Sequence, residues 1–245
     1  MMLKWGKDLQ VNRRNLIKSI QKSANRNLQE KKSHYFHRGI NFIISNPLPK
    51  DIDITRVMDL LRSNLQSDCY DNVDNVYIGQ FEKLKKRDLS ALHYNNNLYI
   101  DSNVKSERDL IDDLIHEFAH SYEENNSEKL YEDGQIINEF LGKRNRLHDL
   151  LAQYTDHELN YFDFIDIEFN KEFDDFLHKK VGYDTIRNVA PTLFIRPYAA
   201  TCLREYFATG FENYYLTGGA ELKKISPILY GKISAIDKSE NFKFQ

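Results

Sequence analysis

The sequence predicts an α+β fold: a small mixed or antiparallel sheet leads into a helix carrying a histidine motif, and a mainly helical C-terminal part follows. Three observations predict it. Short β-branched and aromatic runs lie between residues 40 and 100, bounded by Asn, Pro and Gly. Apolar residues recur at helical spacing from Leu110 to Phe118, around His116-Glu117-Phe118-Ala119-His120. Beyond residue 134 the apolar pattern is helical almost throughout.

Taken in order, residues 1–38 form a basic arm, with ten Lys and Arg between Lys4 and Arg38 against Asp8 and Glu30. Leu9, Leu16, Ile17, Ile20, Ala24 and Leu28 make the arm a helix with one narrow apolar side. A solvated helix face is the ordinary reading of such charge, and a nucleic-acid or acidic partner is the functional one. His34 and His37 have no carboxylate spaced with them and read as structural or surface residues. Residues 39–245 form the main domain. Ile40-Asn41-Phe42-Ile43-Ile44 reads as a strand stopped by Asn46-Pro47, after which Asp53 or Thr55 caps a helix through Leu65. Val76–Phe81, Ala91–Tyr94 and Leu98–Ile100 read as strands, with Asn95-Asn96-Asn97 turning between the last two. Ser102 or Ser106 caps the histidine helix, which runs to about Tyr122 and gives way to a polar, acidic break from Glu123 to Asp133.

A helical insertion over about 134–180 is expected as an α-hairpin. Its first helix carries Ile136, Phe140, Leu147 and Leu151, and its second carries Leu159, Phe162, Ile165, Phe169, Phe173 and Leu177 on one side. The acids from Asp163 to Asp175 read first as a solvated face and second as a preference for a basic substrate. His148, His157 and His178 lack a matched second ligand and are not assigned to metal.

Composition removes several functional classes. The 245 residues carry 34 basic and 37 acidic side chains, a net charge of −3, so there is no global case for nucleic acid or an anionic membrane. No apolar run reaches the ~20 residues of a membrane span, and Met1-Met2-Leu3-Lys4-Trp5-Gly6-Lys7 lacks a signal-peptide core. A cytoplasmic protein at synthesis is expected. Cys69 and Cys202 make neither a disulfide framework nor a zinc-knuckle spacing.

His116-Glu117-Phe118-Ala119-His120 is one copy of His-Glu-x-x-His. On a helix, residues four apart share a face, so two imidazoles can hold one Zn²⁺ ion while Glu117, one step round, reaches a metal-activated water as general base. A catalytic zinc keeps three protein ligands and an open position, so a third Asp, Glu or His is expected elsewhere. The segment from Arg196 to Tyr215 is the best candidate. Pro197 suits a first helical turn and Gly218-Gly219 an end, and Tyr198, Glu205 and Glu212 are each seven apart, within about 20° of one line on a helix. An exposed strand before the motif helix can take an extended peptide, with Tyr94 and Tyr99 near that edge; packing is the commoner role for either.

These residues resemble the zincin metallopeptidases, and most closely the group containing the catalytic domain of anthrax lethal factor and its bacterial relatives. The resemblance rests on the His-Glu-x-x-His motif with its Tyr-rich hairpin and on Tyr198 followed seven residues later by Glu205-Tyr206-Phe207-Ala208, over roughly residues 75–125 and 195–216. It implies a zincin-like fold, a peptide or protein substrate and endopeptidase chemistry. It also implies His116, His120 and Glu205 as zinc ligands, Glu117 as base and Tyr198 as transition-state donor. The 84 residues between His120 and Glu205 exceed the spacer of the compact members, which the helical insertion explains. Glu212, and more weakly Glu139, are rival ligands. Cys202 is a buried cysteine or a fourth, inhibitory ligand, and Arg196 and Arg204 either orient a carboxylate, contact substrate or form solvent-facing salt bridges. The alternative function is a structural, virion-associated protein keeping the fold with little or no peptidase activity, for which the Asn-, Lys- and Tyr-rich composition suits a phage product of an AT-rich genome.

Overall fold

Alternation of apolar side chains along the short strands places Ile40, Phe42, Val76, Ile78, Leu98 and Ile100 on one face of a sheet and Ile43, Tyr77 and Tyr99 on the other, all buried. The computed structural model describes residues 33–86 and 89–239. The chain divides into two compact units, Met1–Ser121 and Tyr122–Gln245, each described in turn.

The N-terminal unit contains a five-stranded mixed sheet of order β1-β2-β3-β5-β4, built from β1 (Ser33–His37), β2 (Ile40–Ile44), β3 (Asn75–Gly79), β4 (Ala91–Tyr94) and β5 (Asn97–Asp101). The β2–β3 and β3–β5 pairs are parallel, and the β1–β2 and β4–β5 pairs are antiparallel hairpins. Both hairpins turn on two residues with positive φ, Arg38-Gly39 and Asn95-Asn96, the conformation that matches strand twist. Strand β1 corrects one expectation. Ser33–His37 is extended and paired with β2 rather than the end of a basic helix, because the Arg38-Gly39 turn brings His37 opposite Ile40. The rest of that arm, residues 1–32, lies outside the described residues.

Asn41, Asn75 and Asn97 stand at one register across three strands. The Asn41 amide donates to Asn75 Oδ1 at 3.2 Å, and the Asn75 amide donates to Asn97 Oδ1 at 2.8 Å. Side-chain amides that pair only in this register penalise slippage. Asn75→Ala removes the middle of the ladder and is expected to cost about 1–2 kcal/mol, read as a lower midpoint in urea unfolding.

Helix α1 (Ile54–Asn64) is capped by Asp53, whose Oδ1 accepts from Thr55 N at 2.9 Å. It connects β2 to its parallel neighbour β3. The short helix α2 (Glu82–Lys85) brings Leu84, with Phe81, against Tyr77 and Tyr99. Helix α3 (Glu107–Tyr131) starts where Ser106 Oγ accepts from Asp109 N at 3.1 Å. It does not end at Tyr122. The expected acidic break is helical to Tyr131 with a kink at Asn126, because Tyr122, Glu123 and Leu130 are buried and Asn126 Nδ2 donates to Tyr122 O at 2.9 Å.

The C-terminal unit is helical. Helix α4 (Gln135–Tyr154) buries Ile136, Phe140, Arg144, Leu147 and Leu151 as one stripe. The expected second arm of an α-hairpin is instead broken into α5 (Tyr161–Ile165), α6 (Lys171–Asp175), a π turn (Phe176–Gly182) and α7 (Tyr183–Val189). Asparagines restart it: Asn160 Oδ1 accepts from Phe162 N, and Asn170 Oδ1 accepts from Glu172 N and Phe173 N. The anticipated single apolar face is therefore split, with Phe173 and Leu177 buried while Phe162 is 74% exposed and Phe169 53%. A 3-10 turn (Pro197–Ala200) follows, then α8 (Leu203–Thr217), α9 (Ala220–Ile225) and α10 (Pro227–Ser239). Glu139 ties α4 to two of these: its carboxylate accepts from Tyr206 OH at 2.8 Å and from Ile228 N and Leu229 N at 2.9 and 3.0 Å. Glu139→Ala leaves those donors without their acceptor and is expected to cost about 2 kcal/mol, measured as a drop in thermal midpoint. No helix among the described residues is long and apolar enough to cross a membrane.

Candidate metal centre

Helical periodicity places His116, Glu117 and His120 on one turn of α3, with the two imidazoles on a side of the helix away from the buried Leu110, Leu114 and Phe118 and Glu117 nearly in line with Leu110. Phe118 anchors the helix: its ring meets Tyr70 edge-on at 5.1 Å, and Tyr70 meets His37, which in turn meets Phe42 of the sheet. His37 is thus a packing residue, with burial holding its imidazole below the usual range. The fully buried Phe118 and Phe42 each contribute roughly 1.5–3 kcal/mol.

The donor atoms of His116, Glu117 and His120 lie within 4.8 Å of one another, with His116 partly exposed and the other two buried. The two imidazoles meet at 90° with centroids 4.7 Å apart. A tetrahedral zinc needs its two nitrogens roughly 3.4 Å apart, so small side-chain rotations suffice to close them on one ion. The donor set fits too: two imidazole nitrogens and a carboxylate on one turn suit a borderline metal ion. One turn earlier, Asp113 Oδ1 accepts from Ser90 Oγ at 2.9 Å. Burial pushes the Asp113 carboxyl up to about 6, while the Ser90 hydrogen bond and nearby His116 pull it down.

Strand β4, at the edge of the sheet, is bonded to β5 on one side, and no strand among the described residues pairs with the other. Of the two tyrosines near that edge, Tyr99 is buried in the core and Tyr94 is half-buried. Tyr99 is 1% exposed and stacks on Tyr77 at 5.2 Å, and Tyr94 packs against the same cluster.

In the C-terminal unit the segment from Pro197 to Thr217 is not one helix, which corrects the expected alignment of Tyr198, Glu205 and Glu212. Cys202 is extended at φ −159° and ψ 168°, so Tyr198 sits on the 3-10 turn and Glu205 in the first turn of α8. The two are still electrostatic neighbours. Burial first, then the charges of Glu205 and Asp174, hold the Tyr198 phenol well above its usual range. Glu123, buried and accepting from Tyr131 OH at 2.5 Å, is pushed up to about 7 by burial; Tyr131 and Arg204 oppose that, and Glu205 adds to it. Asp174 is raised as well, by burial and then by Asp175, with Glu205 contributing. Sequence reading missed Glu123 and Asp174. The first lay in a stretch read as a break and the second in one read as a solvated face, and only the fold gathers them near Glu205.

The rival ligands have other partners. Glu212 is buried and ion-paired with Arg196, and Glu139 holds Tyr206 and the start of α10. Arg204, partly exposed, pairs with the buried Glu123 at 3.7 Å and with the exposed Glu124 at 3.9 Å. Cys202 is 1% exposed, and burial, then Glu205, pushes its thiol up to about 12. A buried, protonated thiol is a small apolar group. His148 and His178 pack on Tyr161 and Tyr183 respectively, and His157 on Phe176, as aromatic neighbours. Comparison of the chain with family models, with curated proteins and with solved structures finds no match.

Proposed function

We propose that this chain is a zinc-dependent metallopeptidase of zincin type, with His116, His120 and Glu205 as its ligands and an extended peptide or protein as its substrate. The observation that carries the proposal is the convergence of His116, Glu117 and His120 donor atoms within 4.8 Å on one helical turn. A sheet ending in the antiparallel edge strand β4, followed through β5 by the motif helix, supports the zincin comparison. The third ligand rests on the sequence spacing of Tyr198 and Glu205. Glu123 and Asp174, whose carboxyls are raised chiefly by burial and only in small part by Glu205, are electrostatic neighbours of Glu205, and a cation there would favour the charged form of all three.

Zinc, when bound, polarises the scissile carbonyl and brings water toward ionisation near neutral pH. Glu117 takes the proton of the attacking water and passes it to the leaving amine. The Tyr198 hydroxyl, held protonated, donates to the oxygen on which negative charge develops. Main-chain hydrogen bonds from β4 hold the substrate extended.

The test is cleavage of a labelled, denatured protein before and after chelation. Turnover should vanish on chelation and return with one equivalent of zinc. A protein that carries no stoichiometric zinc and cleaves nothing would instead fit the structural alternative.

A further inference from the structure

Arg144 lies in the middle of α4 with 0% exposure, the largest fully buried side chain among the described residues. Burial lowers its pKa to about 10, with Cys202, Asp166 and Asp163 countering. Its guanidinium donates to four main-chain carbonyls. Nη1 donates to Ala200 O at 2.7 Å and Thr201 O at 3.1 Å; Nη2 donates to Asp163 O and, at 3.4 Å, to Asp166 O. The guanidinium lies over Phe173 at 4.3 Å, Phe140 at 5.3 Å and Phe164 at 5.8 Å. Carbonyl dipoles and ring faces thus supply the negative potential that a buried cation requires.

The placement of these carbonyls is the telling feature. Asp163 and Asp166 end the short helix α5, whereas Ala200 and Thr201 form the link between the 3-10 turn of Tyr198 and the helix of Glu205. Leu203 N donates to Ile167 O at 2.9 Å and closes the same junction. A planar guanidinium can bridge two main-chain segments with separate donors. An ammonium, a point charge with three donors, cannot reproduce that fork, and an apolar residue would strand the carbonyls.

We infer that Arg144 is a positioning residue: it clamps the Ala200-Thr201 link and thereby fixes Tyr198 relative to Glu205. The chemical consequence rests on the peptidase reading, whereas the clamp itself rests on the hydrogen bonds alone. A misplacement of about 1 Å between reacting groups costs ~10²-fold in rate, so this link is where such a clamp has effect.

The experiment compares full-length wild type with Arg144→Lys and Arg144→Met by amide hydrogen exchange, zinc competition against a chelating dye, and turnover of the labelled denatured protein. The expected result is exchange at residues 201–206 about tenfold or more faster, with the amides of Val76 and Ile78 unchanged as an internal control. Zinc affinity should fall ~10–100-fold, as when a ligand loses its supporting contacts. kcat should fall with little change in KM. Exchange at 201–206 equal to wild type, or raised equally throughout the C-terminal unit, would overturn the inference. If neither variant folds, Phe173→Leu, which removes only the nearest ring, carries the same comparison. A wild type that binds no zinc would remove the peptidase reading, while the exchange result would still decide the clamp.

Discussion

Glu117→Gln is expected to lower turnover by about 10²–10⁴-fold while zinc stays bound at wild-type stoichiometry. The reasoning starts from size and hydrogen bonding. Gln has the shape of Glu and keeps a carbonyl oxygen, so the buried turn that carries the side chain loses no volume. What it loses is the ability to take a proton. A residue whose role is packing would change stability and leave kcat alone, whereas a base changes kcat with little effect on folding. The measurement is paired: kcat on the labelled denatured protein, and zinc by mass spectrometry on the same preparation. A fully active Glu117→Gln protein would end the peptidase reading. A protein that has lost its zinc would instead reassign Glu117 to the ligand set, in keeping with its donor atoms lying with those of His116 and His120.

Local signals in the sequence located most of the N-terminal unit. Strands β2, β3, β4 and β5, the Asn95-Asn96 turn, the Asp53 and Ser106 caps and the His116–His120 face all follow from periodicity and turn chemistry within about ten residues. Strand β1 was not legible that way. Ser33–His37 follows a long basic stretch, and its pairing with β2 depends on a turn at Arg38-Gly39 that no helical pattern signals. The C-terminal unit was misread where side chains capture main-chain groups. Asn160 and Asn170 restart helices, Asn126 takes Tyr122 O across a kink, and Arg144 takes four carbonyls from two distant segments. Periodicity reports which side of a helix is apolar, but not whether a buried polar group interrupts it. The break at Cys202 shows the consequence for the site. Seven-residue spacing placed Tyr198 and Glu205 on one helix, and the chain brings them into electrostatic reach by a 3-10 turn and a link instead.

The second large effect is expected in metal content. His120→Ala should reduce bound zinc from one equivalent to near zero after desalting, because it removes one of two nitrogen donors on a single turn. Loss of a direct ligand exceeds the ~10–100-fold weakening that follows loss of a supporting group. Glu205→Ala should do the same, and Glu205→Gln should weaken binding less if the amide oxygen can still coordinate. Glu212→Ala supplies the contrast. Its carboxylate is buried and paired with the half-exposed Arg196, which water can solvate once the acid is gone, so removing it should lower the thermal midpoint only modestly, by about 1 kcal/mol, while zinc stays at one equivalent. Zinc loss in Glu212→Ala with zinc retained in Glu205→Ala would exchange the two assignments. Zinc retained in both would mean that the ligand set closes through another group, and the buried Glu123, raised to about 7 and three residues beyond His120, would be the next acid to test. Far-ultraviolet circular dichroism on each variant separates lost coordination from lost folding, since only the former leaves the helical signal intact.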